Sequence, residues 1–435
     1  MMREINSVAV LGAGTMGSGI AALCAGIGCP VLLLDVSREA AQRAIARMSE
    51  GRSPMLEDPA AVLRITPGSL ETDLPQAAES DWICEAIIED LEAKRALLER
   101  VEPVRRDGSV LSTNTSGIPL RAITEGMPAR LRSDIAVTHF FNPVKLMRLV
   151  ELVAGRETRP EVIATLRQFL DERLGKGVVH AKDTVNFIGN RIGCFWMLAG
   201  LHKAEAALEE GLSMEEVDAL VGKPLGVPRT GLFGLIDLIG LDVMDLVGRN
   251  LAANLPEGDV GHDYTGLPPA ERAMLQRNQL GRKSGGGFYR SPRLDDGSRR
   301  KEVFDLGSER WRDAREIELA PEHASAGALL FADDAAGRFA WGLMSATLCY
   351  AADLVPEIAD DIVNVDRALR WGFNWGKGPF ELLDAIGPGR VIARLEAEGR
   401  PLPRMLAVLQ AGHAGRFYRD EAYLGTDGAF HPMPA

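Results

Sequence analysis

The alternation of apolar and polar residues divides the chain at about Thr184. Before that point, short apolar runs recur between helical stretches. They are Val8–Leu11 (VAVL), Val31–Leu34, a short run near Ile65, Ser80–Asp90 (SDWICEAIIED), Val110–Gly117 (VLSTNTSG), Ile135–Thr138 and a run ending at Lys182 and Asp183. Short apolar runs bounded by turn residues predict buried strands, and the helical stretches between them predict the crossovers of a parallel sheet. An α/β domain of Rossmann type over residues 1–183 is therefore expected. After Thr184 the period changes. FIGNRIGCFWMLAGLHKAEAALEEG carries apolar residues at helical spacing and stops at Gly211, after which Ser213 to Glu216 reads as a capping box for the next helix.

The helical part contains an internal repeat. Residues 217–240, VDALVGKPLGVPRTGLFGLIDLIG, are echoed by residues 365–387, VDRALRWGFNWGKGPFELLDAIG, with the same spacing from Phe233 to Asp237 to Gly240 as from Phe380 to Asp384 to Gly387. Two tandem all-α copies are expected, over 184–290 and 326–435. Residues 291–325 read as a polar linker with one hairpin near Val303–Trp311. Upstream, Arg191 aligns with Arg338, but Asn190 aligns with Gly337. The second copy has lost that polar side chain and reads as a degenerate scaffold.

The chemistry begins at Gly12, Gly14 and Gly17, a GxGxxG turn between a strand and a helix that opens with Thr15 and Met16. The first glycine permits a tight turn, the second a close backbone approach to a pyrophosphate, and the third tight packing of helix on sheet; the helix N-terminus offers free N–H groups to the anion. Asp35 ends the next strand, where an acid holds the ribose hydroxyls and repels a 2′-phosphate. That points to NAD rather than NADP, although Arg38 lies close in sequence.

A second constellation lies at His139–Glu151, HFFNPVKLMRLVE. If the chain doubles back after the Asn-Pro turn, the two side chains come within reach. A histidine can then take a proton while a carboxylate on its other ring nitrogen fixes the tautomer. The bland alternative is a histidine at a strand end and a glutamate in a solvated loop. HFFNPV followed by the glutamate of RLVELV resembles the catalytic segment of the L-3-hydroxyacyl-CoA dehydrogenases, and the resemblance extends over essentially the whole chain. It implies that His139 is the general base and Glu151 its partner. It places Glu89 and Lys94 beside the nicotinamide half of NAD, Asn114 near the same ring, Ser116 on the substrate and Asn190 on the substrate's oxygen at the reaction centre. Asn142 would fix the turn or contact bound ligand. From the residues alone, Glu89 reads equally as a helix-start acid, Lys94 as an exposed helix residue, Ser116 as a helix cap and Asn190 as a capping amide.

The tandem copies resemble the dehydrogenase half of bacterial proteins that also carry an enoyl-CoA hydratase half. That second half is not in this sequence, so the chain reads as a single-function member, a split protein or a fragment, with a hydratase or thiolase as a possible partner. The first copy reads TGLFGLID where short family members have GPFELLD, which leaves acyl-chain preference open. The implied function is NAD-dependent oxidation of L-3-hydroxyacyl-CoA to 3-ketoacyl-CoA in fatty-acid β-oxidation, with the thioester against the first helical copy. The rivals are a dehydrogenase of a small free hydroxy acid and a non-catalytic subunit that binds NAD or acyl-CoA.

Composition narrows the partners. A net charge of −12 over 435 residues argues against nucleic-acid and anionic-membrane binding, so an anionic acyl-CoA would need a local basic pocket. The five cysteines form no CxxC pair and no metal-type spacing with histidine, and read as reduced core thiols of a cytoplasmic protein. If the second copy covers the surface that short members use to dimerise, the chain is a monomer; otherwise it is a homodimer.

Overall fold

Val8–Leu11 is buried along its whole length and forms strand β1 of an eight-stranded sheet in the computed structural model, which describes residues 4–50 and 54–434. The other strands are β2 (Val31–Asp35), β3 (Ile65–Ser69), β4 (Trp82–Glu85), β5 (Val110–Thr113), β6 (Ile135–Phe140), β7 (Leu149–Ala154) and β8 (Gly177–Ala181). Their order is β3-β2-β1-β4-β5-β6-β7-β8. The reversal beside β1 is the Rossmann switch point, where ligands bind outside the carboxyl ends of the strands. Every pairing is parallel except β6 with β7. The connection from Phe141 to Arg148 is too short for a crossover helix, so the chain turns back and β7 runs antiparallel.

The chain separates into two compact units. One holds the sheet and its helices up to Ile188, together with Glu357–Asp360; the other holds Gly189–Pro356 and the chain from Asp361 onward. The short return segment joins the first unit through Lys182 N–H donating to Ile358 O at 2.9 Å.

The second unit is helical. Its central helix, Gly189–Glu209, is buried around most of its circumference and packs against the helix Ala335–Asp353. Residues 291–325 carry the strands Glu302–Asp305 and Arg310–Asp313, which pair antiparallel and add to Tyr289–Arg290. Arg312 clamps this small sheet to Glu215 with contacts of 2.7 and 2.8 Å. Among the described residues, no helix is long and apolar enough to cross a membrane.

Two aspartates, the half-buried Asp218 and the buried Asp366, organise the helix starts. Asp218 accepts from Phe233 N–H at 2.8 Å, Gly234 N–H at 3.3 Å and the Tyr289 hydroxyl at 2.8 Å. Asp366 accepts from Phe380 N–H, Glu381 N–H and the Tyr418 hydroxyl at 2.8, 3.0 and 2.7 Å. Asp237 and Asp384 accept in the same manner from the backbone pairs Phe288/Tyr289 and Phe417/Tyr418.

Burial outweighs these donors. It raises Asp218 to about 7 and Asp366 to about 8. An acid whose folded pKa lies above its unfolded value stabilises the protein fully below the unfolded value, and that contribution is lost as pH rises through the folded one. The contribution of these two acids to stability is therefore expected to decline between about pH 4 and pH 8, because each tenfold change in proton affinity on folding is worth about 1.4 kcal/mol. The check is calorimetry across that range: Asp366→Asn should flatten the decline, and an unchanged slope would contradict the assignment.

Candidate functional site

The dinucleotide turn is built by contact as well as by motif. Gly12 has φ +109°, and a Cβ there would lie 2.5 Å from Ala86 O, so β1 can approach the loop after β4 only without a side chain. A Cβ on Gly17 would lie 1.9 Å from Gly12 O, which rules out any larger residue at the helix start. Gly14 and Thr15 are exposed and Met16 is half-buried, which leaves the N-terminus of the helix Thr15–Gly26 open to a ligand. Asp35 receives Ala13 N–H at 2.5 Å on one oxygen and Val36 N–H at 2.8 Å on the other. Its carboxylate is thereby fixed against the glycine turn, as ribose recognition requires. These residues suit a dinucleotide.

Across the sheet, His139 on β6 lies opposite Glu151 on β7 in the antiparallel register. Glu151 is fully buried, and its Oε2 lies 2.6 Å from His139 Nδ1. The other oxygen receives Ile188 N–H at 2.9 Å. Phe141 and Phe187 flank the imidazole with centroids at 4.5 and 5.7 Å. Among the described residues Nε2 has no hydrogen-bond partner. The pair thus engages one ring nitrogen through Glu151, and the solvated-loop alternative for Glu151 is excluded.

Asn114 joins β5 to the histidine strand: its side-chain oxygen receives Phe140 N–H at 2.9 Å. Beside it, Glu89 gathers the loop after β5, accepting from Thr115 Oγ1 at 2.7 Å, Ser116 N–H at 2.8 Å, Gly117 N–H at 2.9 Å and Ser116 Oγ at 3.3 Å. Burial raises the Glu89 pKa, but Lys94, the Thr115 hydroxyl and the two backbone donors together hold it below the ordinary value. Lys94 is not an exposed helix residue. Its side chain is 1% exposed and lies 2.8 Å from Glu85 and 3.4 Å from Glu89.

Asn142 is exposed at the turn before Pro143. That turn is pinned from below by Lys176, a buried ammonium that donates to Val144 O and to Met147 O. Burial pushes its pKa down to about 8. Neither Glu85 nor Lys176 stood out as a site residue in the sequence. For Lys94 there was a usable signal, since it shares the buried face of the helix Leu91–Val101 with Leu97, Leu98 and Val101.

In the second unit, Asn190 is the second residue of the helix Gly189–Glu209 and is half-buried. The next residue, Arg191, is buried against the Tyr350 hydroxyl and Asp259. At the aligned position a Cβ on Gly337 would lie 2.1 Å from Ala332 O, so no side chain fits there.

Comparison with known proteins places these features in one group. Residues 7–184 match the 3-hydroxyacyl-CoA dehydrogenase NAD-binding domain, and residues 187–291 match the 3-hydroxyacyl-CoA dehydrogenase C-terminal domain. The chain is 37% identical over 93% of its length to a Bacillus subtilis protein named "Probable 3-hydroxyacyl-CoA dehydrogenase", but covers 54% of that relative. It therefore spans about half the length of the first curated relatives it matches. A Deinococcus radiodurans protein of the same name is 36% identical, over 66% of this chain and 83% of its own. Among solved structures, 3-hydroxybutyryl-CoA dehydrogenase from Escherichia coli is 26% identical with TM-score 0.71, covering 94% of this chain and all of that one.

Proposed function

The chain belongs to the 3-hydroxyacyl-CoA dehydrogenase family, and on that premise we propose that it oxidises an L-3-hydroxyacyl-CoA to the 3-ketoacyl-CoA with NAD. The observation that carries this reading is the buried His139–Glu151 contact at the carboxyl end of β6, 2.6 Å long, with Nε2 left over. His139 accepts the proton of the C3 hydroxyl through Nε2. Glu151 keeps the hydrogen on Nδ1 and stabilises the imidazolium that forms. NAD, when bound, supplies the hydride acceptor. Gly12, Gly14, Thr15, Met16 and Gly17 bind its pyrophosphate, Asp35 its ribose hydroxyls, and Glu89, Lys94 and Asn114 border its nicotinamide half. Ser116 orients the substrate hydroxyl, Asn142 shapes the turn after β6, and the family resemblance assigns Asn190 to an oxygen of the substrate.

We also infer that the second unit contains two copies of one helical domain. Support comes from the matching roles of Asp218 with Tyr289 and Asp366 with Tyr418, and of Asp237 and Asp384. The crowded Gly337 position supports the reading that only the first copy works on substrate. A β-oxidation role follows from the product, a 3-ketoacyl thioester suited to thiolytic cleavage.

The test is reduced-nicotinamide formation by the purified chain with short- and long-chain L-3-hydroxyacyl-CoA and with the free 3-hydroxy acids, each with NAD and NADP. Turnover of the thioesters with NAD is expected. Turnover of the free acids alone would replace the substrate class, and NAD binding without turnover of any substrate would reduce the chain to a binding subunit.

A further inference from the structure

Glu85 ends β4 with its side chain buried, a costly place for a carboxylate unless it is fully paired. It is paired on every side. Lys94 Nζ lies 2.8 Å from one oxygen and 3.1 Å from the other, Ile87 N–H donates at 2.8 Å, and the Thr113 hydroxyl donates to Oε2. The same ammonium lies farther from Glu89, at 3.4 Å. Glu89 is the member of this group that reaches the surface, with a side chain 36% exposed. The cluster therefore holds two carboxylates and one ammonium, and the cation is engaged mainly by the buried acid.

Strand order locates this excess negative charge relative to the cofactor. Asp35 on β2 marks the ribose of the adenosine half, and the glycine turn after β1 marks the pyrophosphate. Continuing along β2-β1-β4-β5-β6, the other half of the dinucleotide must extend over the ends of β4 and β5 toward His139. That is where Glu89 stands, holding Ser116 and Gly117. The nicotinamide ring carries a positive charge when oxidised and none when reduced, so an unbalanced carboxylate there discriminates between the two forms.

We propose that the Glu85–Lys94–Glu89 cluster sets the relative affinity for oxidised and reduced cofactor, with Glu85 as the positioning residue that draws Lys94 away and leaves Glu89 negative toward the ring. This deepens the dehydrogenase reading, since it rests on the nicotinamide lying at that end of the sheet. It assigns the buried acid to the energetics of the redox couple rather than to contact with substrate. A merely structural Glu85 would affect both cofactor forms alike.

The experiment measures dissociation constants for NAD by calorimetry and for NADH by its fluorescence, without acyl-CoA, in the full chain and in Glu85→Gln. Freeing Lys94 to neutralise Glu89 should weaken NAD relative to NADH, raising the ratio of the two constants by on the order of tenfold. Glu89→Gln removes the same charge at the surface and should move the ratio in the same direction. It decides the matter if Glu85→Gln does not fold. An unchanged ratio in the folded variants overturns the proposal, as does a parallel loss of both affinities. Because no acyl-CoA is present, failure of the dehydrogenase assay leaves this result independent, and the reverse also holds.

Discussion

His139→Ala is expected to lower kcat for L-3-hydroxyacyl-CoA oxidation by about 10²- to 10⁴-fold, the usual worth of a positioned general base. Affinity for NAD should remain near that of the parent, because the glycine turn and Asp35 are built by contacts that do not involve the imidazole. The alanine variant alone is ambiguous, since it also removes the imidazole contact at 2.6 Å from the fully buried Glu151. Loss of one hydrogen-bond partner from a buried carboxylate destabilises the fold in its own right. His139→Asn separates the two effects. Its amide can still donate toward Glu151 from the place of Nδ1, but it cannot accept the substrate proton. Equal loss of turnover in both variants, with greater thermal stability in the asparagine variant, is the outcome that a general base predicts. Retention of wild-type turnover in either would remove His139 from the mechanism.

The parts of this site that were legible in the sequence are those whose physics is local. A glycine turn between an apolar strand and a helix, followed by an acid at the end of the next strand, specifies its own geometry, and Gly12, Gly17 and Asp35 occupy it. The His139–Glu151 pair was legible only conditionally. Its contact depends on the chain reversing after Pro143, and the strand Leu149–Ala154 that makes the reversal is apolar apart from Glu151 itself, with a direction that no periodicity reveals. Lys94 and Glu85 were less accessible still. A lysine on an apolar helix face announces a buried partner but not which of two nearby acids takes it. In the helical unit the repeat was visible through Phe233, Asp237 and Gly240, whereas the partnership of Asp218 with Tyr289 spans 71 residues and has no local mark.

The same non-local logic yields the largest expected loss of stability. Arg191 is buried in the helix Gly189–Glu209, where its guanidinium donates to the Tyr350 hydroxyl and to Asp259. Tyr350 in turn donates to Asp259 at 2.9 Å, and Gly261 N–H donates to the same carboxylate at 2.7 Å. The ring of Tyr350 stacks on Phe195 with centroids 4.2 Å apart. Arg191→Met keeps much of the apolar stem but leaves Asp259 a buried carboxylate with neutral donors only. Breaking a buried ion pair from one side costs about 3–5 kcal/mol, to be read from denaturant unfolding. Tyr350→Phe keeps the stack and the ion pair while deleting one hydroxyl, so it should cost about 1–3 kcal/mol. Tyr350 belongs to the helix Ala335–Asp353, in the second of the two proposed copies. A measurable cost in Tyr350→Phe would mean that this copy braces the buried arginine next to Asn190, and a neutral result would mean that Arg191 holds Asp259 without help from that hydroxyl.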